Sequence, residues 1–511
     1  MTGMKNNANK VRGFNLKIAF LVIVFGFISA LIIQRRFGYT EFSGAFLISA
    51  VLLFLLYKDI MRYKPKYIAR YSMLVLMGLI IAGSLLVGRL AEYVFTGFLS
   101  GMGIAALKTA VFGIPLPAGA MLVTLLFDFH AAIVFSFIVS LLGGLWHADA
   151  VYSIYFFIGS FAGAFSVMRC RKRTALLKGG IYVLGANLFS VTVIYLFRGE
   201  LFTLDYPLAL AFAFFSAVSV MAIVSFVLPA IEYFFKVTTD ISLLELLDLD
   251  QPLMKSLMVS APGTYHHSII VGNLVDSVAE SVGANPLLAR VASYYHDIGK
   301  LKMPEYFIEN SITGISKHER LTPHMSSMIL MSHVKEGVEL AKQYKLPEPI
   351  IDIIAEHHGS SLITYFYQKA KGFEHEEAPS EEEYKYPGPK PQSRVSALVM
   401  MADAVEASSR VLTDPTPQRI KSLVDKIIDH IYLEGQLDEC ELTLKDIYEI
   451  KKRFTHILTA ILHRRVDYPG FDFDEESKHR EGLHKQLSKE DKTKPERDRE
   501  KLAQGSPYIE A

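Results

Sequence analysis

Sixteen histidines are spread over 511 residues, yet eight of them fall between positions 266 and 358, with aspartates beside them. Imidazole and carboxylate are the side chains that hold iron, manganese or zinc, and they also move protons near neutral pH. The stretch SYYHDIGKLKMPEYF, residues 293–307, sets His296 and Asp297 side by side. Alone, that pair could be a polar helix end; with partners, it could be half of a metal centre.

Helical periodicity sorts the candidates. In TYHHSIIVGNLVDSVAESVG, a helix beginning near Thr264 places His267 on the apolar stripe of Val271, Leu274 and Val278, and His266 nearer Ile270, Asn273 and Ser277. In SSMILMSHVKEGVELAKQY, His333 shares a stripe with Ile329, Leu330, Gly337, Leu340 and Ala341. His357 and His358 stand one turn after Ile353 and Ile354, just before Gly359 can end that helix. Asp403 lies beside Leu398, Val399 and Ala402, where an ionised carboxylate needs a partner. A single inward histidine is most often a core residue with a satisfied ring. Five of them with two aspartates in one helical domain would leave donors and acceptors unpaired unless they share an ion. His267, His296, Asp297, His333, His357, His358 and Asp403 are therefore expected to bind metal. Lys300, three residues after Asp297, is placed to meet a phosphate oxygen as a point charge; a solvated surface lysine is the alternative.

The elements that carry these residues follow a membrane half. With 51% hydrophobic residues and a mean hydropathy of +0.28, the chain is too apolar for a soluble enzyme alone. A net charge of +1 gives no general signature for polymeric nucleic acid. Cys170 and Cys440 supply neither a disulfide framework nor a zinc spacing, so a metal must rest on His and carboxylate. Segments near 15–34, 41–57, 72–94, 103–127, 129–146, 150–168, 175–197 and 207–234 are apolar enough to cross a core of about 30 Å. The segment 103–127 contains Pro115, Pro117 and Lys108 and has a re-entrant alternative. With eight crossings, Lys5, Lys10, Arg12, Lys17, Lys58, Arg62, Lys64, Lys66, Arg70, Arg169, Arg171, Lys172, Arg173 and Lys178 all share the cytoplasmic side. Both termini are then cytoplasmic, and no cleavage site follows the first span. Asp128 and His130 are expected at a short turn.

The expected organisation is all-α: residues 1–40 with the first span, 41–235 a seven-span domain, 236–263 an amphipathic connector, 264–466 a helical domain, and 467–511 a charged, disordered tail. The connector could pair two protomers, although its acidic interruptions disfavour a long coiled coil.

The order H…HD…H…HH…D, carried by His267, His296-Asp297, His333, His357-His358 and Asp403, resembles the HD-domain metal-dependent phosphohydrolases. More narrowly, APGTYHHSIIVGNLV, YYHDIGKLKMPEYFIEN, SHVKEGVELAKQYKLP, EHHGSSL and YPGPKPQSR, following a polytopic half, resemble the seven-transmembrane HD family of bacterial cyclic di-AMP phosphodiesterases. The resemblance covers about residues 41–466. It implies two divalent ions, iron or manganese: His267, His296, Asp297 and Asp403 on one, His333, His357 and His358 on the other, with Asp297 bridging. It implies hydrolysis of cyclic di-AMP to pApA at the inner (cytoplasmic) membrane. His266 would be a neighbour, His318 and His324 would stand outside the ligand set, and the YPGPKP loop could close the substrate pocket. Two ions about 3.5–4 Å apart activate water for in-line attack on phosphorus. One departure stands out: the chain passes directly from about residue 35 to 41, where many members carry a large extracytoplasmic domain. Competing readings are hydrolysis of cyclic di-GMP, since the ligand set does not read a base, and a membrane receptor that binds nucleotide without turnover.

Overall fold

The structure is a computed structural model that describes residues 2–34, 38–63, 71–104, 107–170, 172–311, 316–372 and 379–462. It divides into two units, Met1–Leu458 and Thr459–Ala511. The charged tail expected from residue 467 lies outside the described residues.

Among the described residues, eight segments are long and apolar enough to cross a membrane. They are α1 (Thr2–Ile33), α2 (Tyr39–Tyr63), α3 (Tyr71–Gly101), a broken segment ending in α4 (Pro117–Leu126), α5 (Phe129–His147), α6 (Ala150–Val167), α7 (Ala175–Arg198) and α8 (Asp205–Phe235). The chain is a multi-pass membrane protein. Asp128 accepts from Ala131 N at 2.9 Å and so starts α5, and Asp149 starts α6 by accepting from Val151 N at 3.0 Å. The expected short turn at Asp128 and His130 is thus present.

The broken segment explains its own prolines. A 3-10 turn at Leu107–Gly113 precedes α4, and the segment is 94% buried, against 28–61% for the other spans. Backbone freed from helical bonding is tolerated at membrane depth only when protein surrounds and pairs it. Tyr155 Oη donates to Phe112 O at 2.6 Å, and Ser216 Oγ donates to Ile114 O at 3.1 Å.

Charged contacts fall at two ends of the bundle. At one end His130 meets Asp59 at 2.9 Å, and Arg173 meets Glu232 at 3.4 Å. At the other, Arg89 meets Glu92 at 3.5 Å and Arg198 meets Asp149 at 2.8 Å.

Beyond α8 the connector forms α9 (Asp240–Leu246) and α10 (Pro252–Ser260), separated by a turn over residues 247–251. Eight further helices follow: α11 (Pro262–Ala279), α12 (Pro286–Tyr295), α13 (Pro323–Gln343), α14 (Glu348–Glu356), α15 (Thr364–Lys371), α16 (Arg394–Ser409), α17 (Pro417–Leu433) and α18 (Leu444–Ile461). Their starts are written in the sequence. Asn285, Thr322 and Thr416 accept from the third amide of α12, α13 and α17, each followed by a proline that needs no amide partner. The described residues contain one isolated antiparallel bridge, Leu362 with Lys385, and no longer strand. The architecture is all-α throughout, as expected.

Candidate metal centre

Five helices deliver the ligands. His267 projects from the middle of α11, His333 from α13 and Asp403 from α16. His296 and Asp297 follow the last turn of α12, and His357 and His358 follow α14, where Gly359 takes φ +53° and turns the chain away. A 3-10 turn at Ile298–Lys302 then redirects the backbone so that Asp297 faces inward. His267, His296, Asp297, His333 and His357 are all buried, while His266 is exposed.

All seven predicted ligands converge on Asp297 and Asp403. Asp297 Oδ2 lies 3.3 Å from His296 Nε2 and 3.7 Å from His267 Nε2, whereas its Oδ1 lies 3.3 Å from His333 Nε2 and 3.7 Å from His357 Nε2. Asp403 Oδ1 is 2.9 Å from His267 Nε2 and 3.9 Å from His296 Nε2, and its Oδ2 is 3.7 Å from His358 Nδ1. Ligand atoms form two compact groups: His267, His296 and Asp297; and Asp297, His333, His357 and His358. Asp297 belongs to both.

The tautomers fit a metal. His296, His333 and His357 each turn Nδ1 to a carbonyl three residues back, Ser293 O at 2.7 Å, Leu330 O at 2.5 Å and Ile354 O at 2.8 Å. Nδ1 must carry the proton there, so in the neutral rings Nε2 is a bare lone pair. Two such lone pairs, on His333 and His357, face each other at 3.3 Å. His296 Nε2 and Asp297 Oδ1 are buried without a well-formed hydrogen bond, and Asp297 Oδ2 is met by the Lys300 ammonium at 2.7 Å. Lone pairs of this kind, gathered away from water, are satisfied by a shared cation.

Electrostatics agree. Burial, with His357 and Lys300 nearby, holds His333 down at about 4 despite Asp297, and burial with His357 lowers His358 too. Both rings are therefore neutral and ready to ligate. Burial would raise Asp297 and Asp403, yet Lys300 and His296 hold the first, and His267 the second, well below the usual carboxylate range. Burial also works against charge on His267, but its bonds to Asp403 and Glu406 outweigh that and lift it to about 9.

Lys300 is not on the open surface. Its side chain is 13% exposed, and its Nζ lies 2.7 Å from Asp297 Oδ2 and 2.9 Å from Glu309 Oε1, over the Phe307 ring. His318 is buried against Tyr306 and Phe366, and His324 lies near Glu383; neither joins the cluster. Tyr386, which opens the YPGPKP loop, stacks on His358 with centroids 4.2 Å apart. Sequence reasoning did not single out Glu406, which bonds His267, or Glu309. The available signal for Glu406 was its place one turn after Asp403 on α16.

The family described as 7TM receptor with intracellular HD hydrolase matches residues 39–239, and the HD domain matches residues 264–408. The cyclic-di-AMP phosphodiesterase PgpH of Bacillus subtilis is 33% identical over 477 residues, covering 92% of this chain and 62% of that protein. PgpH of Listeria monocytogenes is 39% identical over 342 residues, covering 66% of this chain and 47% of that protein. The chain thus spans about half to three fifths of the length of these curated relatives. The crystal structure of the L. monocytogenes PgpH HD domain is 45% identical, covering 42% of this chain and all of that one, with a TM-score of 0.40. Two family matches in tandem, membrane half first and histidine cluster second, reproduce the order read from the residues, and the chain belongs to the seven-transmembrane HD family.

Proposed function

We propose that this protein is a membrane-anchored, metal-dependent phosphodiesterase that hydrolyses cyclic di-AMP to linear pApA. The observation that carries the proposal is the sharing of Asp297 between two histidine groups. His267, His296, Asp297 and Asp403 would hold one divalent ion, and His333, His357 and His358 with Asp297 the other; ligand type suits iron, manganese or zinc, and the family resemblance favours iron or manganese. Such a pair supplies charge for an in-line phosphoryl displacement and lowers the pKa of water.

The chain's own residues do the rest. His333 and His358 stay neutral because burial disfavours their charge, and Asp297 and Asp403 stay anionic. Lys300, held by Asp297 and Glu309, offers an ammonium to a phosphate oxygen. Tyr386 and Phe307 wall the centre and could take a base face. Adenine is favoured over guanine because the PgpH relatives are cyclic-di-AMP phosphodiesterases. The basic residues at one end of the bundle favour an inner-membrane protein with both termini in the cytoplasm.

The test uses the full chain, purified anaerobically in detergent and assayed for metal content and for cyclic di-AMP and cyclic di-GMP side by side. Release of pApA from cyclic di-AMP, abolished by His296→Ala with Asp297→Ala, is the expected result. Preferential cleavage of cyclic di-GMP would replace the substrate, and tight nucleotide binding without turnover by the metal-loaded chain would favour the receptor reading.

A further inference from the structure

We infer that Glu406 is the positioning residue for His267 and makes the His267 side of the centre the tighter of its two metal positions. This inference rests on the metal-centre reading above. His267 Nδ1 lies 2.5 Å from Glu406 Oε2, across 139 residues of sequence. The Glu406 side chain is 2% exposed, and its other oxygen accepts from Arg410 Nε at 2.8 Å and Nη2 at 2.7 Å. Asp403 and Glu406 lie three apart on α16, and Arg410, four residues further on, is the residue at its C-terminal cap. One helix and its cap therefore carry a ligand, the support of a second ligand, and the anchor of that support.

Nδ1 of His296, His333 and His357 meets a neutral backbone carbonyl, whereas His267 meets a carboxylate. A carboxylate fixes the same tautomer but also pushes negative charge into the imidazole, which raises its basicity toward a cation; losing such a partner typically costs about 10- to 100-fold in metal affinity. The His267 side already has Asp297 and Asp403 beside it, Asp403 at 2.9 Å, while the opposite side has Asp297 and three imidazoles, of which Asp403 approaches His358 at 3.7 Å. Glu406 thus adds a further anion where anions already gather.

A purely structural role, in which Glu406 only ties α16 to α11 with Arg410, makes a different prediction. Glu406→Gln keeps the volume and an acceptor for His267 Nδ1 but removes the charge; Glu406→Ala removes both. The full-length wild type and both variants, stripped of metal, would be titrated with Mn²⁺ against a competing chelator, with thermal unfolding of the metal-free forms as the folding control. The expected result is two Mn²⁺ equivalents in the wild type, with the tighter one weakened about 10- to 100-fold in Glu406→Gln and the other unchanged, in a metal-free form that still unfolds cooperatively. Glu406→Ala is expected to weaken the same equivalent at least as much. Unchanged Mn²⁺ binding by Glu406→Gln, or equal weakening of both equivalents, would overturn the inference. A wild type that binds no Mn²⁺ while hydrolysing substrate would instead overturn the metal-centre reading, and this inference with it.

Discussion

Ile241 and Leu243, two residues apart on α9, are buried in different cores. Ile241 packs with the membrane helices, whereas Leu243 joins Leu253, Met254, Tyr294, Tyr295 and Ile298 around the HD helices. Tyr295 Oη also donates to Leu246 O at 2.9 Å. The connector is therefore part of the HD core although it precedes the HD match at residue 264. A soluble fragment starting at Lys236 is expected to fold, while one starting at Thr264 exposes Tyr294 and Tyr295 and loses solubility and thermal stability. Leu243→Ala in the longer fragment should cost about 2–5 kcal/mol, read from denaturant unfolding. Equal stability of the two fragments would contradict this packing.

Gly299 illustrates a constraint hidden inside the HDIGK stretch. A Cβ there would collide with the carbonyl oxygen of His333 and the amide of Gly337, both backbone atoms that cannot swing aside. The 3-10 turn after Asp297 and α13 are in backbone contact, and that contact places His333 Nε2 3.3 Å from Asp297. Gly299→Ala should force α13 outward, destabilise the domain by about 3 kcal/mol and reduce bound metal. A variant with normal metal content and unfolding temperature would mean that the close approach is not required.

Lys300 occupies the carboxylate that a metal would also need. Its ammonium sits 2.7 Å from Asp297 Oδ2; burial opposes that charge, but Asp297 and Glu309 hold its pKa above the usual lysine value. Replacing it with methionine removes a positive charge beside the cations, so Lys300→Met should retain or tighten metal binding. If the ammonium meets the substrate phosphate, turnover should nevertheless fall about 10²-fold, the scale of losing one donor aimed at developing charge. Parallel metal analysis and steady-state kinetics separate these effects. Loss of metal together with activity would show that Lys300 supports the ligands instead.

Much of this arrangement was legible because it repeats with a helical or hydropathic period. His267 and His333 share faces with apolar residues that are buried, and the eight spans follow from runs of apolar side chains. Residues paired across long sequence separations were harder to read. Glu406 and Arg410, four apart, look like an ordinary solvated helix pair, and nothing local announces that Glu406 faces a histidine 139 residues away. The same holds for Lys300, whose burial depends on Glu309 and Phe307 folding back over it. On α9 an apolar stripe suggests one covered face, whereas Ile241 and Leu243 serve two cores. Pro115 and Pro117 announced a break in the fourth span, but the partners of its carbonyls, Tyr155 and Ser216, could be found only in three dimensions.

The position of Asp297 in both groups separates it from the histidines in a way metal analysis can read. Its two oxygens face opposite groups, so removing its charge withdraws a ligand from both positions. His358, by contrast, belongs to one group. Asp297→Asn preserves shape while replacing one oxygen by a donor amide, and it should lower metal content from about two ions per chain toward none. His358→Ala should leave about one. Both variants should lose more than about 10²-fold in hydrolysis, beyond what removing an outer support costs, so activity alone does not distinguish them. The decisive reading is metal per folded chain, with circular dichroism confirming that the helices remain. Retention of one tightly bound ion by Asp297→Asn would show that the second aspartate, Asp403, suffices with His267 and His296, and that Asp297 does not bridge.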